Sequence, residues 1–363
     1  MSKPGRLAYL SLETPRPGQA SETHIREIVA GLEELGWKVT LFNESSGRNT
    51  AYISRLVNYI GLQASLAWRL SLFDVVYVRA HFAAAPVVWW CQMRGIHVVH
   101  EINGKPADLD VTYPALKWLV PFSTWLYRIQ YRRAAYLFAV TEGLREWARG
   151  FADHDRVSVI SNGANTDIFH PDGSAADFSG PAVIFVGGLV AWHGIDTMIA
   201  ALRERDWPTD TRLVVIGDGI ERQKLEKCAE SRLVWLGLQP YKEIPTFLRG
   251  AFAALCVIDG SGGRSVSGVA PLKMFEAMAC GIPVIVSDLP FQADIVRMAD
   301  AGLVVPPGSS VALARAVATL RGDKATAGRM GRSGTAYVRT EASWKLRSRE
   351  VHLRLLALSN GKA

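Results

Sequence analysis

The segment Pro271 to Asp288, PLKMFEAMACGIPVIVSD, changes from helical to strand periodicity within a few residues. Its apolar residues recur at helical spacing from Leu272 to Ala279, which predicts a buried helix face. Gly281 ends this helix, and Pro283 prevents its continuation. The uninterrupted apolar run Val284 to Val286 is typical of a parallel strand that is buried on both faces. A helix that leads directly into such a strand restricts the chain to an α/β fold.

The same segment carries a cation and a carboxylate on its predicted helix. Lys273 and Glu276 are three residues apart, so they occupy neighbouring positions on one helix face. A loop of small residues, Ser261 to Gly268, leads into the helix start, where free N–H groups attract anions. This combination suits a ligand that carries both phosphate and hydroxyl groups, as nucleotide sugars do.

Strand and helix patterns alternate along the rest of the chain and do so twice. Strands are predicted at 7–12, 38–42, 75–79, 97–102 and 157–160, then at 183–186, 213–216, 233–236, 253–257 and 302–305. Such alternation predicts parallel, doubly wound sheets. The segment Pro171 to Pro181 is rich in Pro, Gly, Ser and Asp, which predicts a linker between two domains. We therefore expect domains at 1–175 and 176–335, and a last helix within 336–363 that packs back toward the first.

Composition excludes several classes of protein. The four cysteines are far apart and form no CxxC or Cys/His cluster, which argues against a zinc site or a disulfide framework and favours a reducing, cytoplasmic location. We find neither a secretory signal nor an apolar run of the length that spans a bilayer. Beyond Val311, eleven cations face three acids. This basic end is compatible with a solvated helix face or with attraction to an anionic membrane, and no nucleic-acid motif accompanies it.

Glycine turns follow three successive strands of the second half, at Gly187-Gly188, Gly217-Asp218-Gly219 and Gly237. Glycine lets a backbone approach a ligand closely, although tight turns alone also require it. No G-x-G-x-x-G follows the first strand and no G-x-x-x-x-G-K-[ST] is present, which disfavours a dinucleotide dehydrogenase and a P-loop ATPase. We expect a ligand at this sheet edge.

These blocks resemble the family 4 retaining glycosyltransferases. FVGGLVAWHGIDTMIAAL (Phe185 to Leu202), LVVIGDGIERQKLE, VWLGLQPYKEIPTFL and PLKMFEAMACGIPVIVSD are similar to the donor-binding blocks of that family, in order and at the proper spacing. Weaker matches cover Gly18 to Ile28, Glu101 to Gly104 and Ile160 to Pro171. The resemblance implies a GT-B fold, in which two Rossmann-like doubly wound domains face a cleft, with the acceptor side in the first domain and the donor in the second.

The chain departs from the pattern of this family at four positions. Gly188 and His193 stand where the family carries an arginine and a lysine that hold the diphosphate, Gly268 stands where it has a glutamate, and Asn103 where it often has a histidine. Glu276, the ribose-binding carboxylate of the family, is retained. Lys273 is then the natural replacement cation for the diphosphate.

The resemblance implies transfer of a sugar from a nucleoside diphosphate to a saccharide or lipid-linked acceptor with retention of configuration, without a protein nucleophile and without a metal or other cofactor. The expected catalytic residues are Lys273, His193, Glu276 and Asn103. The expected donor-binding residues are Gly187, Gly188, Gly217, Asp218, Gly219, Gly268, Val269, Ala270, Pro271, Lys273 and Glu276, with the amides of Val269 and Ala270 binding sugar hydroxyls. The expected acceptor-side residues are Gly18, His24, Arg79 and Asn103. Two alternatives are a non-catalytic GT-B subunit that binds a nucleotide sugar or a protein partner, and a nucleotide-sugar epimerase of the same fold.

Four further features of the first half need an interpretation. Asp108-Leu109-Asp110 is a D-x-D, a weak metal signal so far from the donor blocks, and His81 and His100 read as structural histidines. Arg79 ends a strand and suits either an acceptor contact or an ion pair. Between Tyr113 and Arg133 an aromatic stripe lies beside cations, a pattern typical of a membrane interface or of a core stripe with a solvated face. We expect a possible peripheral contact with an anionic membrane, at the inner face of the plasma membrane, and no nucleic-acid partner.

Overall fold

The protein is described by a computed structural model that covers residues 4–13, 20–43, 52–105, 118–260 and 264–359. The chain divides into two compact units. The first unit holds residues 1–17, 21–161 and 347–363, and the second holds residues 18–20 and 162–346. The chain therefore passes between the units at 161 and again at 346, compared with the boundaries at 175 and 335 expected from the sequence.

The first unit is built on a parallel sheet, six-stranded within the described residues. Its strands are β1 (Arg6–Ser11), β2 (Lys38–Asn43), β3 (Val75–Arg79), β4 (His97–Ile102), β5 (Tyr136–Ala139) and β6 (Val157–Val159). Its helices are α1 (Ala20–Glu34), α2 (Tyr52–Trp68), α3 (Ala85–Met93), α4 (Val120–Arg132) and α5 (Glu142–Arg149). The strand order is β2-β1-β3-β4-β5-β6, so the winding direction reverses between β1 and β3. Ligands of open α/β sheets bind at the carboxyl ends of the strands at such a point.

The second unit repeats this plan with its own parallel sheet. Its strands are β7 (Ala182–Val186), β8 (Arg212–Ile216), β9 (Leu233–Trp235), β10 (Ala253–Cys256), β11 (Val284–Ser287) and β12 (Gly302–Val305). Its helices are α6 (Ile195–Ala201), α7 (Arg222–Glu226), α8 (Ile244–Gly250), α9 (Arg264–Ser267), α10 (Leu272–Ala279), α11 (Gln292–Met298), α12 (Ser310–Gly322) and α13 (Lys324–Glu341). The order β12-β11-β10-β7-β8-β9 is that of a Rossmann fold, with the reversal between β7 and β10.

The helix and strand predicted within 271–288 are confirmed as α10 and β11. Gly281 follows the helix with a φ of +77°, a left-handed conformation that glycine adopts without strain. Helix α10 is buried on more of its circumference than the predicted face, because α13 covers it and Gly331 packs directly on the Gly281 backbone. The short helix α9 lies in part of the segment that was expected to be a loop.

The Pro171 to Pro181 segment is not a linker between the units, because its backbone is bound to α8 of the second unit. Arg249 donates from Nε to the Ser174 carbonyl oxygen at 2.8 Å and from Nη1 to the His170 carbonyl oxygen at 3.1 Å. The Ala176 N–H donates to the Thr246 carbonyl oxygen at 2.9 Å. Turn-forming composition reflects an irregular path here, not freedom from the second unit.

The last helix, α14 (Trp344–Ser359), begins in the second unit and continues in the first. Within the first unit, the Trp37 Nε1–H donates to His352 Nδ1 at 3.0 Å, and Ser348 packs against Gly31 of α1. A side chain at Gly31 would overlap Ser348, so this glycine allows α1 and α14 to approach closely.

Part of the basic C-terminal segment is engaged in ion pairs with the second unit. Four of its cations bind aspartates of the second unit, in the pairs Arg315–Asp206, Arg321–Asp210, Arg329–Asp300 and Lys345–Asp167. All four are at least partly exposed to solvent. This arrangement supports the interpretation of a solvated, charge-balanced helix surface.

Candidate functional site

The glycine turns of the second unit pack on one another through their backbones. The Gly187 N–H donates to the Ile216 carbonyl oxygen at 2.9 Å, and the Gly217 N–H donates to the Gly237 carbonyl oxygen at 2.8 Å. A Cβ at Gly217 would overlap the Gly187 carbonyl oxygen. The amides of Gly187 and Gly217 are therefore engaged within the unit, so Gly187, an expected donor-binding residue, does not offer its N–H to a ligand.

Asp218 and Gly219 complete the same turn. The Asp218 side chain accepts from the Gly219 N–H at 2.8 Å, and its carbonyl oxygen accepts from the Leu189 N–H at 3.0 Å. A Cβ at Gly219 would overlap the Leu189 backbone, whereas a Cβ at Gly188 would meet no atom of the described residues within 4 Å. These contacts fix the backbone around Gly188, which opens away from the protein where the family has an arginine.

Lys273 directs its ammonium group against this turn. Its Nζ is buried, lies 3.9 Å from the centroid of the Phe185 ring, and has no hydrogen-bond partner within the described residues. A Cβ at Gly187 would lie 3.1 Å from Nζ, so the glycine makes room for the lysine head. Burial lowers the pKa of Lys273 to about 8, while Cys256 and Glu276 oppose that shift. The structure thus holds, at the carboxyl end of β7, a buried cation that forms no hydrogen bond or ion pair with a described residue.

His193 lies at the same turn. Its Nδ1 is 2.5 Å from the Gly188 carbonyl oxygen, and its ring packs edge-on against Phe185 with centroids 5.8 Å apart. Because a carbonyl oxygen only accepts, the shared hydrogen belongs to Nδ1 and the Nε2 atom is on the opposite side of the ring. Lys273 and His193, predicted separately, are therefore brought together around Phe185, a residue that sequence reasoning did not single out.

Glu276 follows Lys273 by one helical turn and is almost completely buried. Its Oε1 accepts a hydrogen bond from the Tyr241 hydroxyl at 3.0 Å. The Tyr241 ring in turn packs edge-on against Phe169 at 5.2 Å. Tyr241 fixes the orientation of the carboxylate. This role was not predicted from the sequence, although Tyr241 lies in the VWLGLQPYKEIPTFL block that carries the family resemblance.

The segment Gly268 to Pro271 differs from the expected sugar-binding loop. Gly268 has a φ of +74°, and a Cβ there would lie 2.9 Å from the Pro290 carbonyl oxygen. This backbone is incompatible with the glutamate of the family pattern. The Val269 N–H donates to the same carbonyl oxygen at 3.2 Å. It is therefore engaged within the unit, whereas we expected it to bind a sugar hydroxyl. The Ala270 carbonyl oxygen accepts from Asn162 at 2.6 Å, and Pro271 caps α10.

A second polar cluster lies in the first unit at the carboxyl ends of β3 and β4. Arg79 and Glu101 are register partners on these parallel strands, and Arg79 Nη1 donates to Glu101 Oε1 at 2.6 Å. Asn103 Nδ2 donates to the same oxygen at 2.7 Å, and His24 Nε2 lies 2.7 Å from Oε2. The structure therefore brings His24, Arg79 and Asn103 together; Gly18 lies outside the described residues.

Glu101 is the centre of this cluster and was not predicted as a site residue. Its side chain is buried, and Oε2 also accepts from the hydroxyls of Tyr77 at 2.8 Å and Tyr9 at 3.4 Å. Burial alone would raise the pKa of Glu101, but His24, Arg79 and the Asn103 hydrogen bond hold it well below its usual range. The sequence feature that could have predicted this cluster is the pair of opposite charges, Arg79 and Glu101, near the ends of two apolar strands.

The remaining candidates of the first unit have structural roles or fall outside the described residues. His81 accepts from the Ala83 N–H at 3.2 Å as a helix cap, and burial lowers the pKa of His100 to about 3. The D-x-D at Asp108 to Asp110 lies outside the described residues. Within them, no three His, Cys, Asp or Glu side chains form a group able to hold a metal ion.

Helix α4 carries the described part of the predicted aromatic stripe. Phe122 and Trp125 stack on its outer surface with ring centroids 5.9 Å apart, both more than half exposed, and Trp118 is 72% exposed just before the helix. These aromatic side chains are therefore not part of the hydrophobic core. No helix among the described residues is both long and apolar enough to cross a bilayer.

Comparison with known proteins identifies the family. Residues 21–168 match the model of Glycosyltransferase Family 4, and residues 171–336 match that of Glycosyl transferases group 1. The chain is 31% identical over 216 residues to the D-inositol 3-phosphate glycosyltransferase of Corynebacterium glutamicum, a match that covers 53% of this chain and 50% of that protein. The chain thus spans about half the length of this curated relative.

Solved structures share the fold across the whole chain. Sucrose-phosphate synthase from Thermosynechococcus elongatus superposes with a TM-score of 0.81 at 17% identity, covering 99% of this chain and 100% of that one. HepE of Anabaena, solved in complex with UDP-glucose, gives a TM-score of 0.71 at 15% identity, covering 96% and 99%. The two parallel sheets, the ordered sequence blocks and the two family matches together show that the chain belongs to the family 4, group 1 glycosyltransferases and has their GT-B fold.

Proposed function

We propose that this protein transfers a sugar from a nucleoside diphosphate to a hydroxyl of a saccharide or lipid-linked acceptor, with retention of configuration, in the synthesis of a surface polysaccharide or glycolipid. The observation that carries the proposal is the buried ammonium of Lys273, which lies beside Gly187 and has no hydrogen-bond partner among the described residues. Family membership supports it, as does HepE, which binds UDP-glucose on the same fold.

The environment of Lys273 favours a phosphate ligand. A buried charge without a partner raises the free energy of the folded protein. An anion that pairs with this charge lowers the free energy again, and this gain contributes to binding. The group lies on an aromatic face and next to a glycine, so a ligand oxygen meets no side chain at position 187. Lys273 therefore takes over the diphosphate role that an arginine and a lysine have elsewhere in the family.

Glu276 supports the nucleoside end of the donor. A carboxylate has about four lone-pair positions, and the Tyr241 hydroxyl uses one of them on Oε1. Ribose hydroxyls are donors, and a carboxylate is an acceptor that matches them. Tyr241 fixes the carboxyl plane, so we propose that Glu276 binds the ribose in one orientation.

The proposed reaction is a front-face substitution. The bond from the anomeric carbon to the diphosphate oxygen breaks, and the acceptor oxygen bonds to the same face of that carbon while its proton passes to the departing diphosphate. Lys273, and His193 when protonated, stabilise the negative charge that develops on the phosphate oxygens. Since side chains supply this charge, we propose that no metal or other cofactor is required and expect turnover to persist in EDTA.

The test is turnover with a panel of UDP-, GDP- and ADP-sugars and a set of octyl hexosides as acceptors. We expect release of nucleoside diphosphate that depends on the acceptor, and a product whose anomeric configuration by NMR equals that of the donor. Formation of an epimeric nucleotide sugar, inversion, or donor binding without turnover contradicts the proposal.

We also propose that the protein is a cytoplasmic, peripheral membrane protein whose first unit contacts an anionic bilayer. The four free thiols suit a reducing compartment. Trp118, Phe122 and Trp125 are exposed beside the exposed Arg128 and Arg133, and α3, which contacts both α2 and α4, exposes Trp89. Exposed aromatic residues next to cations suit the lipid headgroup region.

Sedimentation with vesicles tests this surface. We expect more binding to mixed phosphatidylcholine–phosphatidylglycerol vesicles than to pure phosphatidylcholine. We expect the Trp118→Ser/Trp125→Ser variant to lose more than about a hundredfold in binding, because each large apolar side chain contributes roughly 1.5–3 kcal/mol on burial. Met298→Ser, which changes an exposed apolar residue of the second unit, is the matched control. Equal binding by both variants contradicts the proposal.

A further inference from the structure

The Glu101 cluster lies where the sheet of the first unit reverses its winding direction. Arg79 ends β3, Glu101 is on β4, and Glu13 follows β1, so their side chains meet at the carboxyl ends of three neighbouring strands. Arg79 Nε donates to Glu13 Oε2 at 2.8 Å, which links β1 and β3 across the reversal. Parallel sheets bind ligands at this position.

Glu101 itself has no capacity left for a ligand. Its Oε1 accepts from Arg79 and Asn103, and its Oε2 accepts from Tyr77 and Tyr9 and contacts His24. Burial and the neighbouring carboxylate raise the pKa values of Tyr9 and Tyr77 well above their ordinary value, so both phenols keep the hydrogens that they donate. A carboxylate with both oxygens saturated acts through the groups that it holds.

Two of those groups keep unused hydrogen-bonding capacity. Asn103 must turn its Nδ2 toward Glu101, because a carboxylate only accepts, and this leaves its Oδ1 without a partner among the described residues. Arg79 uses Nε and Nη1 for the two carboxylates, and its Nη2 bonds to no described residue. An amide oxygen and a guanidinium N–H are thus held in fixed orientations.

The charge balance selects the class of ligand. Arg79 is paired with two carboxylates, Glu13 and Glu101, so the cluster has no net positive charge that would attract a phosphate. Lys273 of the second unit differs in this respect, because its ammonium group forms no ion pair with a described residue. An orientated acceptor and donor without net positive charge suit the hydroxyls of a neutral sugar.

We propose that Glu101 is a positioning residue that orients Asn103 and Arg79 to bind hydroxyl groups of the acceptor saccharide. The inference rests on the proposed transferase function. Asn103 and Arg79 contact the ligand, and Glu101 acts only through them.

A double-mutant cycle on Glu101→Gln and Asn103→Ala tests the proposal with octyl hexosides as acceptors. We expect each single variant to lower kcat/KM for the acceptor by about 10- to 100-fold, the loss typical of a hydrogen bond to a charged group. The KM for the donor stays within about twofold, and the double variant loses less than the product of the two single losses, because Glu101 acts in part through Asn103 and dependent effects are not additive. Multiplying effects, or a changed donor KM, would overturn the assignment.

The matched control is Glu27→Gln, a buried glutamate of the same unit that pairs with Arg26. We expect its kinetics to equal those of the wild type. Ligand-observed NMR of octyl hexosides, in the absence of any donor, gives a readout independent of turnover. If the wild type shows no turnover but binds hexosides in a Glu101-dependent way, the transferase proposal fails and the hydroxyl site stands. If binding is absent or survives Glu101→Gln, the site assignment fails.

Discussion

The two units each bury a charged side chain at the carboxyl edge of their sheet, but they treat it in opposite ways. Glu101 in the first unit is surrounded by five groups that donate or carry positive charge. Lys273 in the second unit has an aromatic ring and a glycine beside it and no hydrogen-bond partner among the described residues. A saturated charge belongs to the framework of a site, whereas an unsaturated one is completed by the ligand.

The largest expected effect is on stability. Glu101→Ala removes the centre of a buried network and leaves Arg79 with one carboxylate, which is expected to cost about 3–5 kcal/mol in the free energy of unfolding. Lys273→Met removes a buried cation that has no hydrogen-bond partner among the described residues and replaces it with an apolar side chain of similar length. We expect no loss, or a gain of about 1 kcal/mol, in the absence of ligand. Chemical denaturation of both variants measures this contrast; equal losses would contradict it.

Gly187→Ala tests the space that Lys273 requires. A methyl group there would lie 3.1 Å from Nζ and would adopt a φ of +152°, so we expect a loss of about 1–3 kcal/mol in stability and weaker nucleoside diphosphate binding. Gly308→Ala is the control, because φ is +73° there and a Cβ would meet no atom within 4 Å. Calorimetric titration with UDP and GDP should show reduced affinity only for Gly187→Ala. If Gly187→Ala binds UDP and GDP with unchanged affinity, the Lys273 ammonium group does not require the space beside Gly187.

The smallest expected effect concerns the orientation of Glu276. Tyr241→Phe removes the 3.0 Å hydrogen bond to Oε1 and keeps the ring against Phe169. A hydrogen bond of this kind contributes about 0.5–1.5 kcal/mol, so donor KM should rise by about two- to tenfold with little change in acceptor KM. Steady-state kinetics at varied donor and acceptor concentrations separate these effects. A change in acceptor KM alone would argue against the ribose role of Glu276.

Much of the fold could be predicted from local pattern. Short apolar runs next to turn residues predicted ten of the strands of the two sheets. Gly281 and Pro283 also predicted the end of α10 and the strand β11 that follows it. Strand β5 was missed because its short apolar run directly follows a helix, and the Pro171 to Pro181 segment was misread because turn-forming residues do not reveal that Arg249 binds their carbonyl oxygens.

The candidate site was predictable in its residue types more than in its contacts. Lys273 and Glu276 follow from helical spacing, but only the fold places Nζ over Phe185. Hydrogen bonds to backbone decide which amides remain available, and the sequence does not contain that information for Gly187 or Val269. Glu101 was missed because its importance depends on the parallel register with Arg79.

The central claim is that Lys273 is the counter-ion for the diphosphate, and its altered pKa gives the most direct test. Because burial lowers the pKa of Lys273 to about 8, the free protein loses this charge as the pH rises above that value. Calorimetric titration of UDP and GDP should therefore show an affinity that falls by up to about tenfold per pH unit above pH 8, in proportion to the protonated fraction. Lys273→Met should bind weakly and without this dependence, and the exposed Lys242→Met should resemble the wild type. If Lys273→Met keeps the affinity and the pH dependence of the wild type, Lys273 is not the diphosphate cation.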